Sequence, residues 1–187
     1  GYRDIIVTNG LPRDVTDLDY IAYDNKQGGG SANLSLKMAH TLPVVNIPDY
    51  AFRNNGGIQF ENVTDSWGLD TSSFSNGGAY ADLDNDGDLD FVVNNINSQA
   101  FVYENTATAR NAHVLTISLQ GRGANTFAIG TKLTVFFAGK KIYYEHYPSR
   151  GYLSTMDNRI IIGLGSNTVV DSIKITWPDN SMQSITN

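Results

Sequence analysis

The sequence predicts a mainly β protein, and three observations support this prediction. Short apolar runs rich in β-branched residues recur along the chain, as in Ile5–Val7 and residues 91–93. The 187 residues include 18 glycines, and Tyr and Phe together supply another 18 residues. Such a composition favours strands joined by tight turns over long helices. The length suits one large core or two small ones.

The two halves of the chain differ in charge. Residues 1–109 carry 5 Lys or Arg and 15 Asp or Glu, whereas residues 110–187 carry 8 and 4, and the net charge of the whole chain is −6. This change predicts two domains, at 1–109 and 110–187. The acidic half would repel phosphate groups, so nucleic acid is not an expected partner.

Composition also excludes several kinds of site. The chain has no cysteine, which removes disulfides, thiolate metal ligands and thiol nucleophiles. No segment approaches the run of about 18 apolar residues that a membrane-spanning helix needs, so we expect no membrane insertion. The chain starts at a glycine without a preceding Met, and we expect it to be a fragment of a larger protein.

Residues 82–90 form the motif with the clearest chemistry. Their sequence is Asp-Leu-Asp-Asn-Asp-Gly-Asp-Leu-Asp, which places carboxylates at positions 1, 3, 5 and 9 and glycine at position 6. Calcium takes about six to eight hard oxygen ligands, and alternate residues of a coiled loop can direct oxygens to one centre. Gly87 permits the turn after which Asp88 can offer its backbone carbonyl. The predicted Ca²⁺ ligands are Asp82, Asp84, Asp86, Asp88 and Asp90.

The loop differs from an EF-hand. That motif requires a bidentate glutamate at position 12, and the residue at this position is Val93. Residues 91–93 after the loop predict a buried strand, and residues 77–81 before it predict a strand that enters the turn. The loop is therefore expected to connect two strands of one sheet. Magnesium is the weaker alternative, because it prefers near-octahedral geometry with retained waters.

The segment that contains the end of the loop has a counterpart at the N-terminus. Residues 87–95 align with residues 1–9, since both read Gly, two variable residues, Asp, three apolar residues and polar residues ending in Asn. Asp4 would take position 9 of a second loop. We expect no complete metal site there, because its positions 1, 3 and 5 would lie upstream of residue 1.

The first half of the chain resembles FG-GAP/VCBS repeats, the calcium-loop blades of integrin-type β-propellers. The segments that carry the resemblance, besides the loop itself, are residues 52–64, 68–82 and 101–105. The resemblance implies a partial β-propeller blade region in a secreted or cell-surface protein, with calcium in a structural role. An isolated blade would expose sheet edges, which would allow a homodimer.

Residues 11–48 are the least β-like part of the chain. Leu34, Met38 and Leu42 share one face of a helix, which Pro43 would end. We therefore expect a short helical insertion at about 11–48, between blades.

The second half resembles an ASPIC/UnbV domain, which typically follows FG-GAP/VCBS repeats, as in the cartilage acidic protein group. The segments that carry this resemblance are residues 123–135, 150–154, 163–165 and 170–179. Independently of it, alternating apolar and polar residues with glycine-rich turns predict a small β-sandwich or barrel-like domain. The predicted core residues are Leu115, Ile117, Leu133, Val135, Ile161, Leu164, Ile173 and Ile175.

The sequence contains no arrangement of residues typical of an enzyme. His40, His113 and His146 share no ligand spacing, and hydrolase and phosphate-loop signatures are absent. We therefore predict a non-enzymatic binding or adhesion module with a protein or glycan partner. One alternative is a carbohydrate- or glycoprotein-recognition surface at Arg150 and Tyr152, next to further tyrosines. Another is an accessory region of a calcium-dependent secreted hydrolase.

Overall fold

A computed structural model describes residues 2–14, 18–19, 22, 40, 42–107 and 112–187. The described residues are mainly β, which confirms the predicted fold class. The helical insertion predicted at about 11–48 falls mostly outside the described residues and stays a prediction. Within the described part of the chain, no helix has the length and apolar character needed to cross a bilayer.

The described strands follow one another along the chain as β1 to β14. Those in the first half are β1 (Ile5–Val7), β2 (Ile47–Pro48), β3 (Tyr50–Gly56), β4 (Gln59–Asn62), β5 (Ser72–Ser73), β6 (Ser75–Ala81), β7 (Asp90–Asn95) and β8 (Phe101–Tyr103). Those in the second half are β9 (His113–Ile117), β10 (Lys132–Phe137), β11 (Lys140–Glu145), β12 (Ile160–Gly165), β13 (Ser172–Thr176) and β14 (Met182–Thr186). A 3₁₀ helix spans Asp65–Trp67. The sheets they form are β1-β3-β4, β2-β5, β6-β7-β8, β12-β9 and β11-β10-β13-β14.

The described chain forms two compact units. The first comprises Gly78–Val92 and Val102–Asn187, and the second comprises Tyr2–Gly77 and Val93–Phe101. The predicted domains at 1–109 and 110–187 stay a prediction, because compactness in space does not define where a sequence domain begins.

Two antiparallel sheets of the first unit, β11-β10-β13-β14 and β12-β9, share one apolar core. Buried residues alternate along β10 and β12, because successive side chains of a strand point to opposite faces. The buried members of the core are Leu133, Val135, Phe137, Ile160, Ile162, Leu164 and Ile175. Two sheets around a common core are consistent with the small β-sandwich that the sequence predicts.

The prediction is wrong for one core residue, Ile161. Ile161 is half-buried and lies outside the core cluster, whereas Ile160 and Ile162 on either side are buried in it. Since the side-chain period of a strand is two, an error of one residue moves a side chain to the opposite face. The other predicted core residues belong to the cluster or pack against it: Leu115, Ile117, Leu133, Val135, Leu164, Ile173 and Ile175.

In the second unit, β3 pairs with both β1 and β4. Its residue Ala51 is fully buried, and the Ala51 N–H donates to Thr64 Oγ1 at 3.0 Å. The turn from β3 to β4 passes through Gly56 and Gly57, both with positive φ, which glycine adopts without strain. Most of residues 52–64, a segment that carries the FG-GAP/VCBS resemblance, therefore forms a strand, a turn and a strand.

His146, next to the end of β11, is a buried histidine whose pKa is perturbed. It is 1% exposed, and its Nε2 atom has no hydrogen-bond partner. Burial lowers the pKa of His146 below its ordinary value of 6.5. Contact with the Phe127 backbone opposes this effect, and the charge of Arg150 adds to it. The fold therefore disfavours the protonated form of His146.

We expect His146 to make the fold acid-sensitive. Below about pH 6.5 the unfolded chain takes up a proton that the folded state resists, so stability should fall from there down to the lower folded pKa. Thermal unfolding from about pH 5 to about pH 8 measures this loss. His146→Gln should reduce the acid-side loss, whereas His113→Gln, at an exposed histidine, should not. Identical pH profiles for the wild type and His146→Gln would contradict this explanation.

Candidate metal centre

Residues 82–89 connect β6 to β7, as the sequence predicts, and Asp90 is the first residue of β7. Asn85 and Gly87 have φ values of 63° and 95°, so the loop passes twice through the left-handed region. A Cβ on Gly87 would lie 2.8 Å from Val114 Cγ2. Glycine is therefore required at position 6 both for its backbone conformation and for the close approach of Val114.

Three of the predicted ligands direct carboxylate oxygens toward one another. One oxygen each from Asp82, Asp84 and Asp86 lies within 4.8 Å of the other two. Asp84 and Asp86 are exposed, whereas Asp82 is buried, and its Oδ1 atom has no hydrogen-bond partner. A buried carboxylate oxygen without a partner is energetically costly. The three hard oxygens could hold a divalent cation, which would provide that partner.

Hydrogen bonds within the loop hold two of these carboxylates in position. Asp84 Oδ1 accepts from the Asp86 N–H at 3.1 Å, and Asp86 Oδ1 accepts from the Asp88 N–H at 3.0 Å. Both bonds join a side chain to the backbone two residues later, as in an Asx turn. Since a carboxylate has about four lone-pair sites, these bonds leave capacity for a cation.

The other two predicted ligands, Asp88 and Asp90, are buried and lie outside the group of converging oxygens found among the described residues. Asp90 Oδ2 accepts from the Leu83 N–H at 3.0 Å, and Asp90 Oδ1 accepts from the Asn105 N–H at 2.8 Å. Asp90 thus joins the start of the loop to the segment that follows β8.

Asn105 completes this connection with its own side chain. Its Nδ2 donates to Leu89 O at 3.2 Å, and its Oδ1 accepts from the Ala107 N–H at 3.1 Å. We call the hydrogen bonds among Asp90, Leu89, Asn105 and Ala107 an Asp–Asn clasp. The clasp fixes the side chain at position 9 of the loop against the backbone.

A second Asp–Asn clasp occurs in the predicted N-terminal repeat. Asp4 Oδ1 accepts from the Asn54 N–H at 2.8 Å, and Asn54 Nδ2 donates to Arg3 O at 3.1 Å. Asn54 Oδ1 accepts from the Gly56 N–H at 2.8 Å. These bonds match those of the first clasp one for one. The two segments thus share local structure as well as sequence.

The asparagines of the clasps were not predicted, although the sequence contains a signal for them. Residues 50–54 read Tyr-Ala-Phe-Arg-Asn, and residues 101–105 read Phe-Val-Tyr-Glu-Asn. Both follow the pattern aromatic, aliphatic, aromatic, charged, Asn. Aligning these closing strands, in addition to the loops, would have placed Asn54 and Asn105 at equivalent positions.

Arg159 is a further residue of the site, and no motif in the sequence predicts it. Its Nη1 lies 3.8 Å from Asp82 Oδ2, and its Nη2 donates to Asp82 O at 3.2 Å. Asp157 is its closer partner at 2.6 Å, and the hydrogen bond and charge of Asp157 raise the pKa of Arg159, with Asp82 adding to the effect. Burial acts to raise the pKa of Asp157, but its bonds to Arg159 outweigh this and lower it. Arg159 therefore anchors the first residue of the loop.

The predicted recognition residues Arg150 and Tyr152 have different environments. Arg150 donates to Tyr147 O at 3.0 Å and to Glu145 O at 3.4 Å, and its guanidinium lies 5.8 Å from the centre of the Tyr144 ring. Tyr152 is 61% exposed. Because Arg150 already donates to the backbone of its own segment, fewer of its N–H groups remain for a ligand.

Comparison with known families agrees with one of the two resemblances. Residues 121–187, less than half of the chain, match the family described as ASPIC and UnbV, which confirms the resemblance of the second half. Strand β9 precedes the matched residues and pairs with β12, so the two-sheet structure extends beyond the match. No curated protein matches the chain in sequence.

Proposed function

We propose that this chain is a non-enzymatic, calcium-binding module of a secreted or cell-surface protein, and that calcium has a structural role in it. The observation that carries the proposal is the convergence of oxygens from Asp82, Asp84 and Asp86 beside a buried Asp82 oxygen without a partner. The ASPIC and UnbV match at residues 121–187 supports the resemblance of the second half, and that resemblance implies that calcium-loop repeats precede it.

The electrostatics of the loop favour an ion over an empty acidic turn. Unit charges about 4 Å apart repel by about 1 kcal/mol in water and by more where they are partly buried. Arg159 lies 3.8 Å from the Asp82 carboxylate and offsets part of its charge. A divalent cation held by Asp82, Asp84 and Asp86 would offset the remaining repulsion. In this proposal Asp88 adds its backbone carbonyl, and Asp90 supports the site through its clasp.

Calcium fits this donor set better than magnesium does. The loop offers only oxygen ligands on a coiled backbone of irregular geometry, which suits the flexible coordination of calcium. Magnesium demands near-octahedral geometry and keeps several waters. Extracellular calcium modules bind with a Kd of roughly 10⁻⁴–10⁻³ M, so a site of this kind is loaded outside the cell.

We further propose that the loop belongs to an FG-GAP/VCBS blade. The support is its position between β6 and β7 of a three-stranded sheet that β8 completes, together with the repeated Asp–Asn clasp. The proposed partner is a protein or a glycan. Strand β14 is exposed along its whole length at the edge of its sheet, which supports the proposal of a homodimer formed by edge pairing.

We expect calcium to raise the melting temperature of the chain. A ligand that binds only the folded state stabilises it by about 2.7 kcal/mol at a concentration of 100 Kd. Thermal unfolding should be followed in a chelator, in a calcium series and in a matched magnesium series, with near-UV circular dichroism to report on the fold. An increase that saturates with calcium and is much smaller with magnesium is the expected result. A melting temperature that is the same in chelator and in excess calcium would exclude the proposed function.

A further inference from the structure

The first unit contains a cleft whose lining residues lie outside the aspartate loop. Its volume is about 260 Å³. One wall is the segment that follows β9, and the other is the turn between β13 and β14 with the start of β14. Side chains of several chemical types line it: Gln120, Arg122, Trp177, Asp179 and Gln183.

The first wall keeps its shape through its own hydrogen bonds. The Gly121 N–H donates to Thr126 O at 2.9 Å. The side chain of Asn125 both donates to Ile129 O and accepts from the Ile129 N–H, each at 2.9 Å. A Cβ on Gly121 would clash with Asn125 O, so the close approach of these backbones requires glycine.

The second wall is a closed turn. The Trp177 N–H donates to Ser181 O, and the Asn180 N–H donates to Trp177 O, both at 2.9 Å. Asp179 Oδ1 accepts from the Ser181 N–H at 2.9 Å and from Ser181 Oγ at 2.6 Å. Both walls are therefore held without a ligand, and such preorganisation lowers the entropic cost of binding.

The groups that face the cleft combine an aromatic ring with a balanced set of polar groups. Trp177 packs against the apolar core and also lines the cleft. Arg122 and Asp179 contribute one positive and one negative charge, and the bonds from Ser181 together with the charge of Arg122 lower the pKa of Asp179 and keep it ionised. The amides of Gln120 and Gln183 can each donate and accept.

We propose that this cleft binds one ring of a neutral sugar. A sugar ring has an apolar C–H face that can stack on the indole of Trp177, and its hydroxyl groups both donate and accept hydrogen bonds. An anionic ligand would meet Asp179, and a cationic ligand would meet Arg122. A wholly apolar ligand would displace water from Arg122 and Asp179 without replacing the hydrogen bonds that the water makes to them. The volume is below the roughly 300–1,000 Å³ of sites for drug-sized ligands, which suits about one ring.

This inference does not depend on the calcium loop, so it can fail while the proposed function holds, and the reverse also applies. The chain has two tryptophans, Trp67 and Trp177. Trp67 lies in the 3₁₀ helix at Asp65–Trp67 and is not among the residues that line the cleft. In the full chain carrying Trp67→Phe, tryptophan fluorescence that is excited selectively over that of the 10 tyrosines therefore reports on Trp177 alone. The experiment titrates this variant with neutral methyl glycosides and with glucuronate, in calcium and in chelator, and repeats the titration by saturation-transfer NMR.

We expect saturable binding of at least one neutral glycoside with a roughly millimolar Kd. Arg122→Ala and Gln183→Ala should each weaken this binding about five- to tenfold, as expected for one lost hydrogen bond. Arg150→Ala removes an arginine outside the cleft and should leave the Kd unchanged. If Arg122→Ala impairs folding, then Gln183→Ala, on the exposed strand β14, decides the result.

Three results would overturn the inference. The first is the absence of a saturable signal with any neutral glycoside. The second is a preference for glucuronate, which would mean that charge and not stacking determines recognition. The third is binding that survives Arg122→Ala and Gln183→Ala but is lost in Arg150→Ala, which would move sugar recognition to the Arg150 and Tyr152 surface.

Discussion

The double substitution Asp84→Asn with Asp86→Asn is expected to abolish the calcium-dependent rise in melting temperature while leaving the chain folded. Asparagine keeps the Oδ1 atom that accepts the N–H two residues later, so the two Asx turns of the loop can persist. The substitution removes two charges, and ligand charge is a main determinant of calcium affinity. In chelator, the double variant should melt at the wild-type temperature or above it, because carboxylate repulsion is reduced.

Thermal unfolding and calorimetric calcium titration measure the two parts of this prediction. The matched control is Asp70→Asn, which removes the charge of an exposed aspartate outside the loop and should retain the full calcium response. If the double variant still gains stability from calcium as the wild type does, then calcium binds elsewhere and the proposed site is wrong.

The substitution Asp90→Ala is expected to destabilise the first unit even without calcium. Asp90 is 3% exposed, and its two oxygens accept the N–H groups of Leu83 and Asn105. Both bonds are partly buried, so water can replace part of what each N–H loses, and a hydrogen bond of this kind contributes a net of about 0.5–1.5 kcal/mol. The free energy of unfolding should therefore fall by about 1–3 kcal/mol for the two together. Denaturant unfolding in chelator measures this loss separately from any effect of the metal.

Asp4→Ala is the matched control for Asp90→Ala, because it removes the aspartate of the second Asp–Asn clasp. Asp4 makes the equivalent bond to the Asn54 N–H at an exposed position, where water can replace the lost acceptor. Its loss should therefore destabilise the chain less than Asp90→Ala does. If Asp90→Ala unfolds at the wild-type denaturant concentration in chelator, then Asp90 has no structural role and its buried carboxylate needs another explanation.

Local features could be predicted from the sequence because they depend on short spacings. The aspartates of the loop are two residues apart, so backbone geometry over a few residues is enough to bring Asp82, Asp84 and Asp86 together. Strand β7 follows from the apolar run at residues 91–93, and the strands of the β-sandwich follow from alternation. The error at Ile161 came from choosing among three consecutive isoleucines without the strand period. Leu164 lies between two glycines, so the period of two places Ile160 and Ile162 on its face and Ile161 on the other.

What the sequence by itself determined is the mainly β fold class and the spacing of the aspartate loop, since both are set by neighbouring residues. Only the tertiary structure decided which groups surround that loop, because Arg159 lies 77 residues from Asp82 and no short-range pattern relates them. The cleft beside Trp177 likewise combines a segment near residue 121 with the turn before β14. Such contacts arise when sheets pack, and packing depends on the whole apolar core instead of on any one motif.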